Sequence, residues 1–337
     1  MSRIAIIGAG AWGTALAMVL GRKSVHQVHL WANEPQVSES IRKSRINEHF
    51  LPGLVLPASI AATSDLDAAL EGAEMVVSVM PSQHCRSLFE RMAPAFGRDT
   101  VFVSCTKGLE DRTLLRMTEV ISDVLESRKV RARVAALSGP SFAKEVARGD
   151  PTAVTVASLD GEVTRQVQHT FNDSRFRVYT NDDVIGVELG GALKNIIAIA
   201  AGVCDGLGLG HNSVAALITR GLAEVARLAV ACGGRLDTMA GLAGLGDLVL
   251  TCTGDLSRNR NVGVELGKGR KLPEIIAGMH GAVAEGIFTT KAAVGLAHQK
   301  NVEMPITEQM FAILENGKSP QQAIEDLMTR AARSEIS

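Results

Sequence analysis

The 337-residue chain has few aromatic residues and no marked excess of charge. Phe, Trp and Tyr make up 4% of it, with a single Tyr, and 35 Lys and Arg stand against 36 Asp and Glu, for a net charge of −1. The scarcity of aromatic rings argues against a platform for stacking nucleic-acid bases. The balanced charge gives no overall field for holding nucleic acid or an anionic membrane, although a local basic pocket is still compatible with it.

The usual patterns of a metal site or a disulfide framework are also missing. The five Cys, at positions 85, 105, 204, 232 and 252, form no CxxC pair and are odd in number, and the eight His include no HExxH. We therefore expect a reduced, cytoplasmic protein without a bound metal. Residues 4–21 carry no charge, but three Gly within six residues divide them into a strand and a helix, so we do not expect a membrane span.

What the first part of the chain does contain is an alternation of short apolar runs with helical segments. The runs are rich in Val, Ile and Ala, as are strands buried on both faces of a parallel sheet. The predicted strands are residues 4–7, 28–31, 75–79, 101–104, 134–137 and 153–157. The predicted crossover helices are residues 14–20, 85–95 and 114–125, and Pro52, Gly53 and Pro57 predict a loop.

From about Asp183 onward the sequence changes to long stretches rich in Ala and Gly with helical spacing. We predict helices over residues 184–203, 213–232 and 305–315. Ser213 is the expected N-cap of the second, and Gly233 and Gly234 are expected to end it.

A glycine fingerprint follows the first predicted strand directly and opens the first predicted helix. In Gly8-Ala9-Gly10-Ala11-Trp12-Gly13, Gly8 permits a tight turn, Gly10 lets the backbone approach a pyrophosphate and Gly13 allows close helix packing. The helix N-terminus would face the anion. We therefore predict a Rossmann-like, doubly wound, mostly parallel α/β domain that binds a dinucleotide over residues 1–182. An all-α substrate-binding domain is predicted over residues 183–337.

The choice between NAD and NADP is usually made at the end of the second strand, where an acid bonds the ribose hydroxyl or an Arg meets the 2′-phosphate. Here the strand is followed by Asn33 and Glu34. Asn33 could bond either group and Glu34 lies one residue late for the acid role, so the sequence leaves the preference open.

Three segments carry polar groups suited to chemistry. Lys107 follows the fourth predicted strand, and Gly139 and Ser141 follow the fifth, at the sheet edge where ligands of open α/β folds bind. Lys194 lies in an apolar helix behind Gly190 and Gly191, which leave its stem uncovered and offer space for a ligand. An ammonium in such a setting should have a lowered pKa, as suits a general acid/base.

Later segments add further candidates. Asp247 supplies a carboxylate, and Ser257, Arg258 and Asn259 precede a predicted helix over residues 262–266. A guanidinium, a hydroxyl and an amide together could hold a phosphate. Glu285 places one acid in an otherwise neutral loop.

These residues occur in strings that resemble the bacterial NAD(P)-dependent glycerol-3-phosphate dehydrogenases over nearly the full length of the chain. The strings are GAGAWGTALA (8–17), TKGLE (106–110), SGPSFAKE (138–145), GVELGGALKNIIAIAAG (186–202), LITRGLAE (217–224), GLAGLGDLVLTCT (241–253), SRN (257–259) and EGIFTTK (285–291).

The resemblance implies a role for each matching position. Lys194 is the expected general acid/base in hydride transfer between NAD(P)H and dihydroxyacetone phosphate. The implied substrate contacts are Lys107, Gly139, Ser141, Lys194, Asp247, Ser257, Arg258 and Asn259. The implied cofactor contacts, together with Gly8, Gly10, Gly13 and Asn33, are Ala11, Trp12, Lys107, Ala143, Arg258, Val283 and Glu285. In the family a basic residue often stands at the place of Asn33, which weakens an NADPH assignment here. A homodimer that supplies glycerol 3-phosphate for phospholipid synthesis is also implied.

Two alternatives stay open at this point, and one class is excluded. A short-chain dehydrogenase needs a Tyr and a Lys four residues apart, and the only Tyr, Tyr179, is followed at that spacing by Asp183. A hydroxyacid dehydrogenase of the 6-phosphogluconate type shares the two-domain plan and a helical lysine. A non-catalytic NAD(H)-sensing module would share the glycine fingerprint, but would leave Lys194 and Asp247 without a role.

Overall fold

The computed structural model describes residues 2–97, 99–279, 283–332 and 334–335, and within them the chain alternates strands with helices before continuing as helices alone. The strands are β1 (Arg3–Ile7), β2 (Gln27–Trp31), β3 (Ile46–Asn47), β4 (Leu51–Val55), β5 (Ile60–Thr63), β6 (Met75–Ser78), β7 (Val101–Ser104), β8 (Arg133–Ser138), β9 (Thr152–Ala157) and β10 (Phe176–Asn181). The helices are α1 (Ala11–Arg22), α2 (Pro35–Ser44), α3 (Leu66–Leu70), α4 (Cys85–Met92), α5 (Met117–Ser127), α6 (Ala143–Arg148), α7 (Gly161–Phe171), α8 (Val184–Gly206), α9 (His211–Ala231), α10 (Leu236–Met239), α11 (Asp247–Thr253), α12 (Arg258–Gly267), α13 (Leu272–Ala277), α14 (Glu285–Lys300), α15 (Pro305–Asn316) and α16 (Pro320–Met328).

Eight strands form one sheet in the order β10-β9-β8-β7-β6-β1-β2-β5. Successive residues of β1 are buried on opposite faces: Ile4 and Ile6 belong to the core that contains α1, and Ala5 and Ile7 to the core that contains Phe89 of α4. This two-sided burial explains the near-continuous apolar runs, and it confirms the predicted Rossmann-like, mostly parallel α/β fold followed by helices.

The sheet departs from the prediction at β9, which pairs antiparallel with β8 instead of continuing the parallel order. The connecting helix α6 lies against α1, where Arg22 Nη2 donates to Val146 O at 3.0 Å, and so does not form a crossover that would return β9 parallel to β8. β10 and β5 were not predicted. β10 lies at the sheet edge and alternates buried with exposed residues, so it lacks the continuous apolar run that marks the strands buried on both faces.

Three local predictions are wrong. Pro52 and Gly53 lie in β4, which pairs antiparallel with β3, and only Pro57 lies outside the strands. The helix predicted from residue 114 begins at Met117, because Leu114 has a left-handed backbone with φ of 60°. Ser213 is not a cap, since α9 begins at His211 after Gly210, whose missing side chain gives no capping bond.

Helix α8 is the centre of the helical part. It is long and apolar enough to cross a membrane by composition, but 83% of its most apolar stretch is buried inside the protein, as expected of a core helix. Glycines bring α8 and α12 into backbone contact: a Cβ on Gly202 would lie 1.9 Å from Arg260 O, and one on Gly263 would lie 1.9 Å from Ile199 O. This close crossing fixes Lys194 on α8 relative to the polar residues that open α12.

A buried carboxylate organises the connection between β10 and α8. Asp183 accepts hydrogen bonds from Gly186 N and Arg235 N, both at 2.8 Å, and from Thr238 Oγ1 at 2.6 Å. It thereby caps α8 and attaches α10 to the start of that helix. The predicted domain boundary between residues 182 and 183 falls on this connection, and the predicted outer limits, residues 1 and 337, lie outside the described residues.

Candidate functional site

The turn between β1 and α1 is built from backbone contacts that only glycine allows. Gly8 has φ of 119°, and a Cβ there would lie 2.5 Å from Val79 O. A Cβ on Gly13 would lie 1.9 Å from Gly8 O, so α1 could not approach the strand end with any larger residue. The turn is therefore closed on its inner side by the protein itself.

Gly10 differs, because its outer side is open. No atom lies within 4 Å of a Cβ built on Gly10, and α1 receives no side-chain capping bond there. The first-turn N–H groups at the start of α1 are thus available to an anion. The buried Trp12 Nε1 has no hydrogen-bond partner among the described residues. An open glycine cradle and an orphaned donor at a helix N-terminus fit the pyrophosphate of a dinucleotide.

Two lysines share one buried carboxylate at the same edge of the sheet. Lys107 follows β7, and its Nζ donates to Asp247 Oδ2 at 2.7 Å, to Gly139 O at 2.9 Å and to Ser141 Oγ at 3.4 Å. Lys194 Nζ donates to Asp247 Oδ1 at 2.5 Å. Asp247 is only 1% exposed. The carboxylate therefore bridges the loop after β7 and helix α8.

Lys194 also donates to Thr251 Oγ1 at 2.7 Å, and that hydroxyl in turn donates to Asp247 O at 2.6 Å. Burial lowers the pKa of Lys194 to about 8; the Asp247 carboxylate opposes that change, and the neighbouring Lys107 ammonium adds to it. The direction agrees with the sequence-based expectation. An amine with such a pKa can both give and take a proton near neutral pH.

The glycines behind Lys194 do not provide space for a ligand, so that expectation is wrong. A Cβ on Gly190 would lie 2.5 Å from Ala243 O, and one on Gly191 would lie 2.4 Å from Ser138 Oγ. The protein fills both positions itself. Gly191 lets α8 approach the end of β8 at Ser138, and Gly190 lets it pack against the π-helical turn Leu242–Gly246. That turn leads into α11 and so places Asp247 against Lys194.

A chain of amide contacts connects α8 with the starts of α12 and α14. Asn195 Nδ2 donates to Lys107 O at 3.3 Å, and Asn259 Nδ2 donates to Asn195 Oδ1 at 2.9 Å. Gly286 N donates to Asn259 Oδ1 at 3.0 Å. These bonds fix the relative positions of the polar residues on the three helices.

Glu285, beside Gly286, is tied to the other side of the site. Its carboxylate accepts from Ser82 N at 3.2 Å and from Ser82 Oγ at 2.7 Å, just after β6. Burial raises the pKa of Glu285, and the bonds from Ser82 and the charge of Arg258 oppose that change. Glu285 therefore connects the edge of the sheet with the N-terminus of α14.

Ser257, Arg258 and Asn259 lie at the start of α12, which begins four residues earlier than predicted. Ser257 is the N-cap, and its Oγ accepts from Arg260 N at 3.2 Å. Arg258, the first helical residue, is exposed and makes no hydrogen bond or ion pair within the described ranges. Its guanidinium is therefore available to an anion at the mouth of the site.

The predicted residues thus fall into distinct sets. Lys107, Gly139, Ser141, Lys194 and Asp247 form one hydrogen-bonded cluster, and Asn259 joins it through Asn195. Asn33 is exposed after β2, Ala143 begins α6 and Val283 is half-buried before α14. Ala143 and Val283 have no side-chain donor or acceptor, and no hydrogen bond among the described residues joins Asn33 to the lysine cluster.

Sequence reasoning missed Thr251, Asn195 and Ser82 as members of the site. The sequence does contain a signal for Thr251, because this residue lies one helical turn after Asp247 and therefore on the same face of α11. Asn195 adjoins Lys194 but points to a different partner. Ser82 gives no signal in the sequence, because its bond to Glu285 spans 203 positions.

Comparison with known proteins gives a consistent result. Family models described as NAD-dependent glycerol-3-phosphate dehydrogenase N-terminus and C-terminus match residues 3–164 and 183–325. A protein of Koribacter versatilis named glycerol-3-phosphate dehydrogenase, NAD(P)+, is 66% identical over 336 residues, which cover 100% of this chain and 99% of that protein. A protein of the same name from Acidobacterium capsulatum is 59% identical over 338 residues, which cover 99% of this chain and 100% of that protein. A crystal structure of glycerol-3-phosphate dehydrogenase from Coxiella burnetii matches with a TM-score of 0.92 and 43% identity, covering 98% of this chain and 99% of that one.

Proposed function

The chain belongs to the NAD-dependent glycerol-3-phosphate dehydrogenase family, and we infer that it is an NAD(P)-dependent oxidoreductase interconverting sn-glycerol 3-phosphate and dihydroxyacetone phosphate. The observation that supports this most directly is the buried Lys194, held by Asp247 and Thr251 and with a pKa of about 8. It lies at the sheet edge that also carries the open glycine turn. A sensing module would have no use for such an amine.

The bound NAD(P) supplies or accepts the hydride. The residues proposed to hold it are those of the glycine turn, Gly8, Gly10, Ala11, Trp12 and Gly13, together with Asn33, Lys107, Ala143, Arg258, Val283 and Glu285. The open side of Gly10 and the unpartnered Trp12 Nε1 support the first group.

We assign proton transfer to Lys194. In reduction, its ammonium gives a proton to the carbonyl oxygen of the ketone, and in oxidation the neutral amine takes a proton from the hydroxyl. Asp247 and Thr251 hold Nζ in place during both events. Burial of the lysine excludes water, which strengthens these contacts and keeps the transferred proton within the site.

We assign substrate orientation to the groups around this amine. Lys107, Gly139, Ser141 and Asp247 would line the substrate, and Ser257, Arg258 and Asn259 would hold its phosphate. Arg258 is the strongest candidate for the phosphate because its guanidinium is exposed and has no partner within the described ranges. Anchoring the phosphate aligns the reacting carbon, a contribution that can remove several kcal/mol from a barrier.

The test is initial-rate oxidation of NADH and NADPH with dihydroxyacetone phosphate and, separately, with unphosphorylated dihydroxyacetone. We expect rapid turnover only with the phosphorylated ketone. Lys194→Ala should lower kcat by about 10²–10⁴-fold, the usual contribution of a general acid/base. Lys300→Ala, at the exposed end of α14, is the matched control and should leave kcat unchanged. Near-normal turnover by Lys194→Ala would exclude the proton-transfer role.

We further propose that residues 1–182 form the dinucleotide-binding domain and residues 183–337 the substrate-binding domain. The change from strands to helices at Asp183 supports this division. The family relationship supports a cytoplasmic homodimer that reduces the ketone to supply glycerol 3-phosphate for phospholipids. Sedimentation of the purified protein tests the oligomeric state directly.

A further inference from the structure

We propose that this chain selects NAD(H) over NADP(H), because the strand ends that would receive the adenosine ribose carry carboxylates and no lysine or arginine. The inference rests on the proposed function. It concerns the side of the sheet formed by β1, β2 and β5, beyond the glycine turn.

The ends of β2 and β5 are joined. Ala32 N donates to Thr63 O at 2.9 Å, and the Trp31 indole Nε1 donates to Ser64 O at 3.1 Å. Gly8 N donates to Trp31 O at 3.1 Å, so the glycine turn is part of the same edge. Whatever group extends from the glycine turn along this edge meets the residues that follow β2 and β5.

Those residues are acidic or neutral. After β2 come the exposed Asn33 and then Glu34, and after β5 comes Asp65. The Asp65 carboxylate already accepts bonds from Asp67 N and Ala68 N at the start of α3. Glu34 is the N-cap of α2 by position, but its side chain makes no capping bond. No hydrogen bond or ion pair with another described residue occupies its carboxylate either. Glu34 lies one residue later than the acid that usually bonds the ribose, but its unengaged carboxylate beside the strand end can still accept from a ribose hydroxyl and would repel a 2′-phosphate.

Positive charge is absent or engaged elsewhere. The sequence contains no Lys or Arg from residue 46 to residue 85. The Arg45 guanidinium is occupied by main-chain carbonyls, donating to Ile60 O at 2.9 Å and also to Pro57 O. It therefore cannot serve a phosphate at the other end of α2.

Arg42 and Lys43, the remaining cations of this segment, lie in the last turn of α2. At 1.5 Å per residue, Arg42 is about 10 Å along the helix from Pro35. Glu39 lies between them and the helix N-terminus, forms an ion pair with Lys43 at 2.6 Å and interacts electrostatically with Arg42. Of the cations nearest in sequence, Lys43 is thus paired with Glu39, and both cations lie near the C-terminal end of α2, whereas the helix N-terminus is the end that follows β2.

The experiment measures dissociation constants of the full-length protein for NADH and NADPH by calorimetry in the absence of substrate, alongside thermal stabilisation by each. We expect NADH to bind about 10–100-fold more tightly, the range that one or two hydrogen bonds to a charged group supply. Asn33→Arg, at an exposed position, should tighten NADPH binding by about tenfold with little change for NADH. Glu34→Gln should reduce the ratio of the dissociation constant for NADPH to that for NADH.

Arg42→Gln is the matched control and should leave the ratio of the two constants unchanged. Equal or tighter binding of NADPH by the unmodified protein would overturn the inference, as would loss of NADPH binding in Arg42→Gln. Binding of NADH without turnover of dihydroxyacetone phosphate would leave the selectivity standing and refute the proposed function. Failure to bind either dinucleotide would refute both.

Discussion

If Lys194 transfers the proton, reduction and oxidation must depend on pH in opposite ways. Reduction needs the ammonium and oxidation needs the neutral amine. Because the pKa of Lys194 is about 8, kcat/KM for reduction should be constant at lower pH and fall tenfold per unit above it. For oxidation, kcat/KM should be constant above this value and fall tenfold per unit below it. Two units past the pKa, about 1% of the enzyme is in the competent form in either direction.

Changing a neighbour of Lys194 should shift both pH profiles along the pH axis, because the neighbours help to set the pKa of Lys194. The Asp247 carboxylate, 2.5 Å away, favours the ammonium, so Asp247→Asn should lower the pKa of Lys194 further. The fall in the reduction profile and the rise in the oxidation profile should then both shift to lower pH by the same amount. A mutation that only loosened substrate binding would lower both profiles without shifting them.

The assay follows NADH absorbance at limiting substrate in both directions, across a series of buffers at constant ionic strength. Lys194→Met provides the control, because its residual rate should lack the Lys194 inflection. The reasoning is refuted if kcat/KM for reduction and kcat/KM for oxidation both decrease toward the same end of the pH range. It is equally refuted if the inflection survives in Lys194→Met.

Other substitutions separate binding, packing and charge. The Cβ of Gly10→Ala would meet no atom within 4 Å, so the melting temperature should be unchanged while the KM for NADH rises at least several-fold. The Cβ of Gly13→Ala would lie 1.9 Å from Gly8 O, so the free energy of unfolding should fall by about 1–3 kcal/mol or more. Unchanged NADH kinetics in a folded Gly10→Ala would contradict the cradle. With NADH saturating, so that a lost cofactor contact does not limit the rate, Arg258→Ala should raise the KM for dihydroxyacetone phosphate far more than it slows the reaction with dihydroxyacetone. Equal losses on both ketones would argue against a phosphate contact. Burial raises the pKa of Glu224 to about 7, so the folded state binds more protons than the unfolded state between roughly pH 4.5 and 7, and the free energy of unfolding should fall by about 1–3 kcal/mol as pH rises through that window. Glu224→Gln should remove this slope in thermal melts at several pH values, and an unchanged slope would contradict the assignment.

The sequence predicts well those parts of the fold that are determined by residues close together in the chain. The strand–turn–helix around Gly8 and Gly13 follows from the positive φ of Gly8 and from the contact of Gly13 with Gly8 O, both within a dozen residues. The strands buried on both faces have a composition of their own. β9 is different, because its composition is that of a buried strand and its direction depends on where α6 packs, against α1. Composition cannot specify a strand's direction.

The same distinction holds in the site. An apolar helix around Lys194 is enough to predict a lowered pKa, because burial is the main cause. Gly190 and Gly191 show the limit of this reasoning. Their missing side chains suggest space in the isolated helix, but the space is filled by Ala243 and Ser138, which come from distant parts of the chain. The bond between Ser82 and Glu285 is likewise invisible to local reasoning.

The hydrogen-bond count at Lys194 suits an amine that changes protonation state during a reaction. An ammonium has three N–H donors, and Asp247 and Thr251 accept two of them. The third is left for the oxygen of a substrate. Once that proton has been given, the neutral amine retains two N–H groups, the number that its two protein partners accept, and its lone pair faces the position from which the proton left. Because the Thr251 hydroxyl proton is committed to Asp247 O, Thr251 can only accept from Lys194. The partners therefore hold the nitrogen in one orientation in both states, and the proton can move without rearrangement of the buried site.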